Sequence, residues 1–482
     1  MKWFFVVAFC ALAALSGVAW MIRPGLSPEG EIPLVWVSDP NPARPEQISL
    51  FNELHPDHDL RLDPTNTSME KVIVQSLAGV GPDLFCCYDG FQLSAYVRSG
   101  IAWDVTDELA KAGIDVKTDT WSGAHPNCIH EGRVYGFPDN ASVDCIWINK
   151  DLFQEQGVPL PTGKVARTDS QGRNVEQAWR WIEDFIPLAQ KMTVRDADGR
   201  AKHFGFLFQW WAWRHFMLQW GGRVFTPDGR RCIVDCPGTV AGIQFMQDLI
   251  YKYRVSPTPA EEAMASKGGW GAGTIQWFAG KKAAMALGGR WWLCTLRKQS
   301  HPPVPREATE QRRRDIERNR LKLTAVLSPR QTYQRYRGYG RATLINRDSP
   351  RRYEALAFLK YLAGREFNEL TNRQADALAP VRKFCYTDQY LHNPEFPEED
   401  YNAVWRQAMD YGVPDEVSPF VNGNAAMRIL NKQLDLVKNN SKSAADAMKT
   451  AARQVNEEID KTLQRDPFLR KRYEQITRKA GE

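Results

Sequence analysis

The chain has 482 residues, 43% hydrophobic and 25% charged, a globular balance that excludes a disordered chain and lets a large core form without disulfide or metal staples. A count of 63 basic against 57 acidic residues leaves a net charge of +6, too mild over this length to point to nucleic acid. The unusual number is 17 tryptophans: a tryptophan-rich core would absorb some, but the residue is also favoured where ligands are gripped, because it joins a rigid apolar face to one donor.

Lys2 is followed by the uncharged run WFFVVAFCALAALSGVAWMI, about long enough to cross a bilayer. Its basic start and apolar centre resemble an export signal. Bulky Trp20 and Met21 follow the best small-residue cleavage site, Gly17 to Ala19, and Cys10 lies in no lipidation motif. The expectation is an uncleaved signal or anchor helix over 1–22, a Pro/Gly linker over 23–30, and an exported body that is periplasmic or otherwise extracytoplasmic. Eight cysteines remain beyond Cys10; they permit disulfides in an oxidising compartment and equally suit buried thiols.

Past the linker, IPLVWVSDPNP predicts a buried strand ending in a loop. PEQISLFNEL predicts a helix with Ile48, Phe51 and Leu54 on one face. DLRLDP is strand, SMEKVIVQSLAG an amphipathic helix, and GPDLFCCYD strand again. This alternation predicts a mainly parallel α/β sheet. The polar stretch Gly163 to Asn174 predicts an inserted loop. Val143 to Lys150 predicts another strand, and CPGTVAGIQFMQDLIYKY a helix with Pro237 in its first turn and Cys236 as a weak cap. Pro302 to Arg320 is a second insert, a solvated charged helix rather than a phosphate or lipid contact, since acids interleave its arginines. Leu323 to Pro329 is strand-like. Ser349 and Pro350 signal the start of a further helix, and SAADAMKTAARQVNEEIDKTL is a surface helix.

Several of these stretches, in this order, resemble one family. QSLAGVGPDLF, YVRSGIAWDVTDEL, EGRVYGFPDNASVDCIWINKDLFQEQGVPLP, LQWGGRVF, GKKAAMALGGRW and ALAPVRKF are similar to segments of the extracellular sugar-binding proteins of ABC transporters, the maltose-binding-protein-like branch. The resemblance implies an α/β, two-lobed periplasmic-binding-protein fold (type II-like) with the ligand in a cleft between the lobes. It places lobe 1 at 31–143 plus 325–372 and lobe 2 at 144–324 plus 373–482. It implies a carbohydrate ligand, membrane permease subunits as partners, a monomer, and neither cofactor, metal site nor catalysis. HPDHD is explained by turn chemistry, and neither a phosphate-binding loop nor a serine nucleophile motif is present.

In the family, the tryptophan following such a glycine turn stacks on a sugar ring, and Trp291 occupies that place with Trp292 beside it. Trp36, Asp39, Tyr88 and Asp89 end early strands, where open α/β sheets hold ligands. Asn140 and Asp144 flank a crossing segment. Trp211 stands for a dense group with Trp210, Trp213 and Trp220, one of which should wall the cleft. Trp270, Arg290, Tyr339 and Arg341 sit in glycine-rich surroundings, and the two arginines would favour an acidic saccharide if both faced inward. The alternatives are a carbohydrate hydrolase or lyase using the tryptophans as subsites, or a ligand sensor on the same fold.

Overall fold

The computed structural model describes residues 12–13, 30–65, 67–168, 173–265, 273–305 and 307–481. Trp270 and all of the expected N-terminal helix but Leu12 and Ala13 lie outside the described residues. Among the described residues no helix is long and apolar enough to cross a membrane.

Two five-stranded sheets divide the α/β chain into two lobes. In the first, β2 (His58–Asp63), β1 (Ile32–Val37), β3 (Leu84–Cys87), β15 (Tyr339–Ile345) and β6 (Gly136–Ser142) lie side by side in that order. In the second the order is β10 (Val194–Arg195), β11 (Ala201–Leu207), β12 (Ala283–Gly288), β7 (Cys145–Asn149) and β13 (Leu323–Val326). Three small pairs join β4 (Ile129–His130) to β5 (Arg133–Val134), β8 (Lys164–Thr168) to β9 (Asn174–Ala178), and β14 (Tyr336–Arg337) to β16 (Gly412–Val413). The sheets are mixed rather than mainly parallel. β1 runs parallel to β2 and β3, and β11 to β12. But β15 is antiparallel to both β3 and β6, and β7 to both β12 and β13. The cause is the path of the chain: β6 leaves the first sheet and, after Val143 and Asp144, becomes β7 of the second.

The helix Pro237–Tyr251 begins as its sequence implies, with proline in the first turn and an extended Cys236 that makes no side-chain cap bond. It packs against the long helix Ala444–Arg465, which is capped by Ser443 and buries Met448, Val455 and Ile459. Three expectations change. The helix signalled at Ser349 starts only at Leu356. The Ser349 hydroxyl instead donates to Asp83 at 2.6 Å and accepts from the Arg351 N–H, holding 350–355 in turns. The polar stretch expected as a loop instead holds β8, which pairs antiparallel with β9 from Asn174 onward. The helix Arg44–Leu54 buries Arg44, Gln47 and Phe51 rather than an all-apolar stripe, and Leu54 is exposed. The second insert is the helix Glu310–Asn319, which buries none of its residues.

Candidate functional site

Where the chain passes between the sheets, four side chains from distant segments meet. Tyr339, the first residue of β15, is paired across the ladder with Ser142, the last of β6. Its hydroxyl donates to Asp144 Oδ1 at 2.8 Å and accepts from Trp291 Nε1 at 3.0 Å. The Trp211 ring meets Tyr339 edge-on, centroids 5.4 Å apart. The Arg337 guanidinium lies over both rings, 5.5 Å from Trp211 and 5.0 Å from Tyr339. Three bonds to Asp415, at 2.9, 3.2 and 2.6 Å, hold it there. Asp144 is buried, and burial pushes its carboxyl up to about 6 against the pull of the Tyr339 hydroxyl and Arg337. Among the described residues its Oδ2 has no hydrogen-bond partner, an orphaned acceptor in a place where unpaired polar atoms are costly.

The Gly288-Gly289 pair is explained by space, not by backbone angle. A Cβ on Gly288 would sit 2.4 Å from the Trp292 ring, and one on Gly289 2.5 Å from the Trp291 ring. Both indoles fold back over the turn that precedes them. They then diverge: Trp291 stays half-buried beside Tyr339, while Trp292 is fully buried against Phe278.

A second, ionic cluster lies two residues along β15. Arg341 contacts Asp139 at 2.7 Å, Asp39 at 3.2 Å and Asp376 at 3.3 Å. Arg44 contacts Asp376 at 2.8 Å and Asp39 at 3.2 Å. Burial would raise both carboxyls, but Arg341 and Arg44 outweigh it and hold Asp39 and Asp376 below the ordinary range. Asn140 accepts from the Arg341 N–H at 3.2 Å, where the β15–β6 register shifts. Asp376 is flanked by Ala375 and Ala377 at φ 61° and 65°, a left-handed conformation that costs alanine energy and needs such surroundings to persist.

The expected site residues therefore separate. Asp144, Trp211, Trp291 and Tyr339 come together. Of the tryptophans in the FQWWAWRHFMLQW stretch, Trp211 is the exposed one at 38%; Trp213 is buried and Trp220 packs on Phe245. Asp39, Asn140 and Arg341 belong to the ionic cluster. Tyr88 is 37% exposed at the end of β3. Asp89 caps the helix Gly90–Arg98 by accepting from Gln92 N–H at 2.8 Å. Three expectations are corrected. Trp36 is fully buried, packed on Phe358 with its N–H given to Thr343. Trp292 is core. Arg290 is fully buried and donates to Asn402 and to the carbonyls of Ala377 and Asn372 at 2.8 to 2.9 Å, bracing the chain instead of facing a ligand.

Arg44, Asp139, Gln209, Arg337 and Asp376 were not anticipated. Only Arg337 had a local signal, standing two residues before Tyr339 as a strand's same-face neighbour does. The described cysteines are all free. Burial pushes the Cys232, Cys294 and Cys385 thiols up to about 12, which makes them inert. His55, Asp57 and His58 come close enough to share an ion, and Asp57 is bonded to His58 Nδ1 at 2.7 Å.

A family model described as bacterial extracellular solute-binding protein matches residues 38–369. Among solved structures, the chain is similar to an ABC substrate-binding protein from Listeria monocytogenes in complex with cycloalternan, at 21% identity and TM-score 0.69, covering 89% of this chain and 98% of that one. It is similar to the GacH receptor of Streptomyces glaucescens, solved unliganded and with acarbose, at 16% identity and TM-score 0.67, covering 89% and 98%. It is also similar to UgpB from Mycobacterium tuberculosis in complex with glycerophosphocholine, at 15% identity and TM-score 0.67, covering 90% and 100%.

Proposed function

The chain belongs to the bacterial extracellular solute-binding proteins, and from that premise we propose that it binds a neutral saccharide between its lobes and delivers it to an ABC importer. The observation that carries this reading is the meeting of Trp211, Trp291, Tyr339 and Asp144 at the crossing segments. Indole faces cover the C–H face of a pyranose, and the orphaned Asp144 oxygen accepts from a hydroxyl on its rim. The relatives that hold cycloalternan and acarbose support a saccharide.

The charge pattern argues against an acidic sugar or a phosphate ester such as the glycerophosphocholine held by UgpB. Arg341 already faces three carboxylates and Arg337 faces Asp415, and Arg290, which donates to neutral acceptors, is fully buried away from the cluster. In this reading each lobe is built on one of the five-stranded sheets, with β13 (Leu323–Val326) whole in the second rather than split at the expected 324/325 boundary, and the lobes swing shut on the ligand. Closure requires the ligand to favour the closed state, which contacts from both sides supply. The protein works outside the cytoplasmic membrane as a monomer without catalysis. Its apolar N-terminus serves as export signal and tether, and permease subunits receive the closed form.

Calorimetric titration with matched neutral, acidic and phosphorylated sugars tests the reading. Saturable binding of a neutral saccharide, recovered unchanged, is the expected result. Binding confined to anionic compounds, or turnover of the sugar, would overturn it.

A further inference from the structure

One motif of the sequence takes no part in the site described above. HPDHD joins the helix Arg44–Leu54 to β2, with His55 closing the helix and His58 opening the strand. Its backbone is tied at three points. The His55 N–H donates to the Phe51 carbonyl at 2.9 Å, the His58 N–H to the His55 carbonyl at 2.9 Å, and the Ile32 N–H of β1 to the Asp57 carbonyl at 2.8 Å. A turn held in this way fixes where its side chains leave the chain.

Those side chains converge. His55, Asp57 and His58 each offer one ligand atom, and the three atoms lie within 4.8 Å of one another. Fully buried Phe51 backs both imidazoles, its centroid 4.7 Å from that of His55 and 5.9 Å from that of His58. The Asp57 side chain is 67% exposed and that of His58 8%, so the group is packed on one side and open to solvent on the other.

His58 supplies an independent sign. A carboxylate only accepts, so Nδ1 carries the proton and donates to Asp57 at 2.7 Å. Nε2 is then a bare lone pair, buried and without a partner among the described residues. Turn chemistry explains the backbone bonds and leaves this nitrogen unmet. A metal ion would meet it. Two imidazoles and a carboxylate are a donor set suited to zinc. Ligands about 2.0–2.1 Å from zinc lie about 3.3 Å apart in a tetrahedron, so separations within 4.8 Å close by side-chain rotation. Asp57 contributes its carboxylate, as a ligand or as the acid that orients the ring.

We infer that His55, Asp57 and His58 form a binding site for one divalent transition-metal ion of the zinc class, which ties the end of the helix Arg44–Leu54 to the start of β2. The site is remote from the saccharide cluster and independent of it. His58 pairs with Ile32 at the start of β1, whereas Asp39 of the ionic cluster follows the end of that strand, about 17 Å along it.

The test uses the full chain, stripped with a chelator and titrated with Zn²⁺ by calorimetry. One ion per chain should bind, and zinc should raise the melting temperature. His55→Gln and, independently, Asp57→Asn should each weaken zinc binding at least about tenfold. Neither residue is buried, so these conservative variants should fold. Co²⁺ gives a second readout on the unaltered chain: visible d–d bands without a thiolate charge-transfer band put the ion on nitrogen and oxygen. Absence of one-to-one zinc uptake, uptake that either variant retains at full affinity, or a thiolate band, which would put the ion on a cysteine, each overturns the site.

Discussion

Tyr339 and Arg341 are two residues apart on β15, yet the clusters they anchor are built in opposite ways. Around Arg341, two arginines and three aspartates pair with one another inside the protein, leaving only Arg44 Nη2 and Asp139 Oδ1 without a partner among the described residues, and only Asp39 retains a fifth of its side-chain exposure. Around Tyr339, one hydroxyl links an acid to an indole, a second indole stands partly in solvent, and one carboxylate oxygen is left without a partner. A network of buried ion pairs fixes the chain; one with a partly exposed indole beside an unmet acceptor is prepared for something else. The arginine of the first cluster is the kind of residue a sequence reader assigns to a ligand, and its partners are what remove it from that role.

The contrast can be broken most forcefully at Asp376. Asp376→Ala leaves Arg44 and Arg341 buried with fewer counter-charges, and should cost about 3–5 kcal/mol in urea-denaturation stability. A loss under about 1 kcal/mol would show that the ionic cluster does not brace the lobe. Next come the tandem indoles. Trp292→Ala should cost about 3–5 kcal/mol of stability, while the folded fraction keeps its saccharide affinity. Trp291→Ala should lose about 2–3 kcal/mol of binding, or roughly 30–150-fold in affinity by calorimetry, with the smaller effect on stability. Reversal of the two phenotypes would exchange their roles.

A pH series sharpens the second cluster. Burial raises the Asp144 carboxyl to about 6 in the folded protein, against about 3.9 in an unfolded chain. The folded state therefore prefers the protonated form. The resulting stabilisation is fully present below about pH 4 and is lost as pH rises through about 6, up to about 2–3 kcal/mol in all. Asp144→Asn lacks this titration, so its stability relative to wild type should rise by about that amount between pH 4 and 7. A pH-independent difference between the two proteins would mean that Asp144 is not buried as an acid. The smallest effect is the control: Arg314→Ala, whose partner Glu310 lies on the insert helix that buries none of its residues, should move stability by no more than about 0.5 kcal/mol.

Much of the framework was legible because it is local. Alternating apolar runs and amphipathic stretches marked strands and helices, and Pro237 after Cys236 marked a helix start that the structure retains. Trp291 was legible from the glycine turn before it together with the family resemblance. Its neighbour was not, since adjacent residues share every local signal and differ only in what packs against them. Arg290 failed for the same reason: its acceptors are Asn372, Ala377 and Asn402, from a segment far along the chain. The helix Arg44–Leu54 was misjudged at its inner face because Arg44 and Gln47 are buried only by virtue of Asp376.

By itself, then, the sequence determined the alternation of elements, the order of motifs and the positions where indoles crowd a turn, all of which follow from periodicity and backbone chemistry over a few residues. Tertiary structure alone decided which indole is half-exposed, which arginines are neutralised, and that Asp144 of the segment between β6 and β7 meets Tyr339 of β15. Those outcomes depend on pairs such as Arg44 and Asp376, 332 residues apart. Burial and charge compensation are set by what the fold brings together, and no short stretch of chain carries that information.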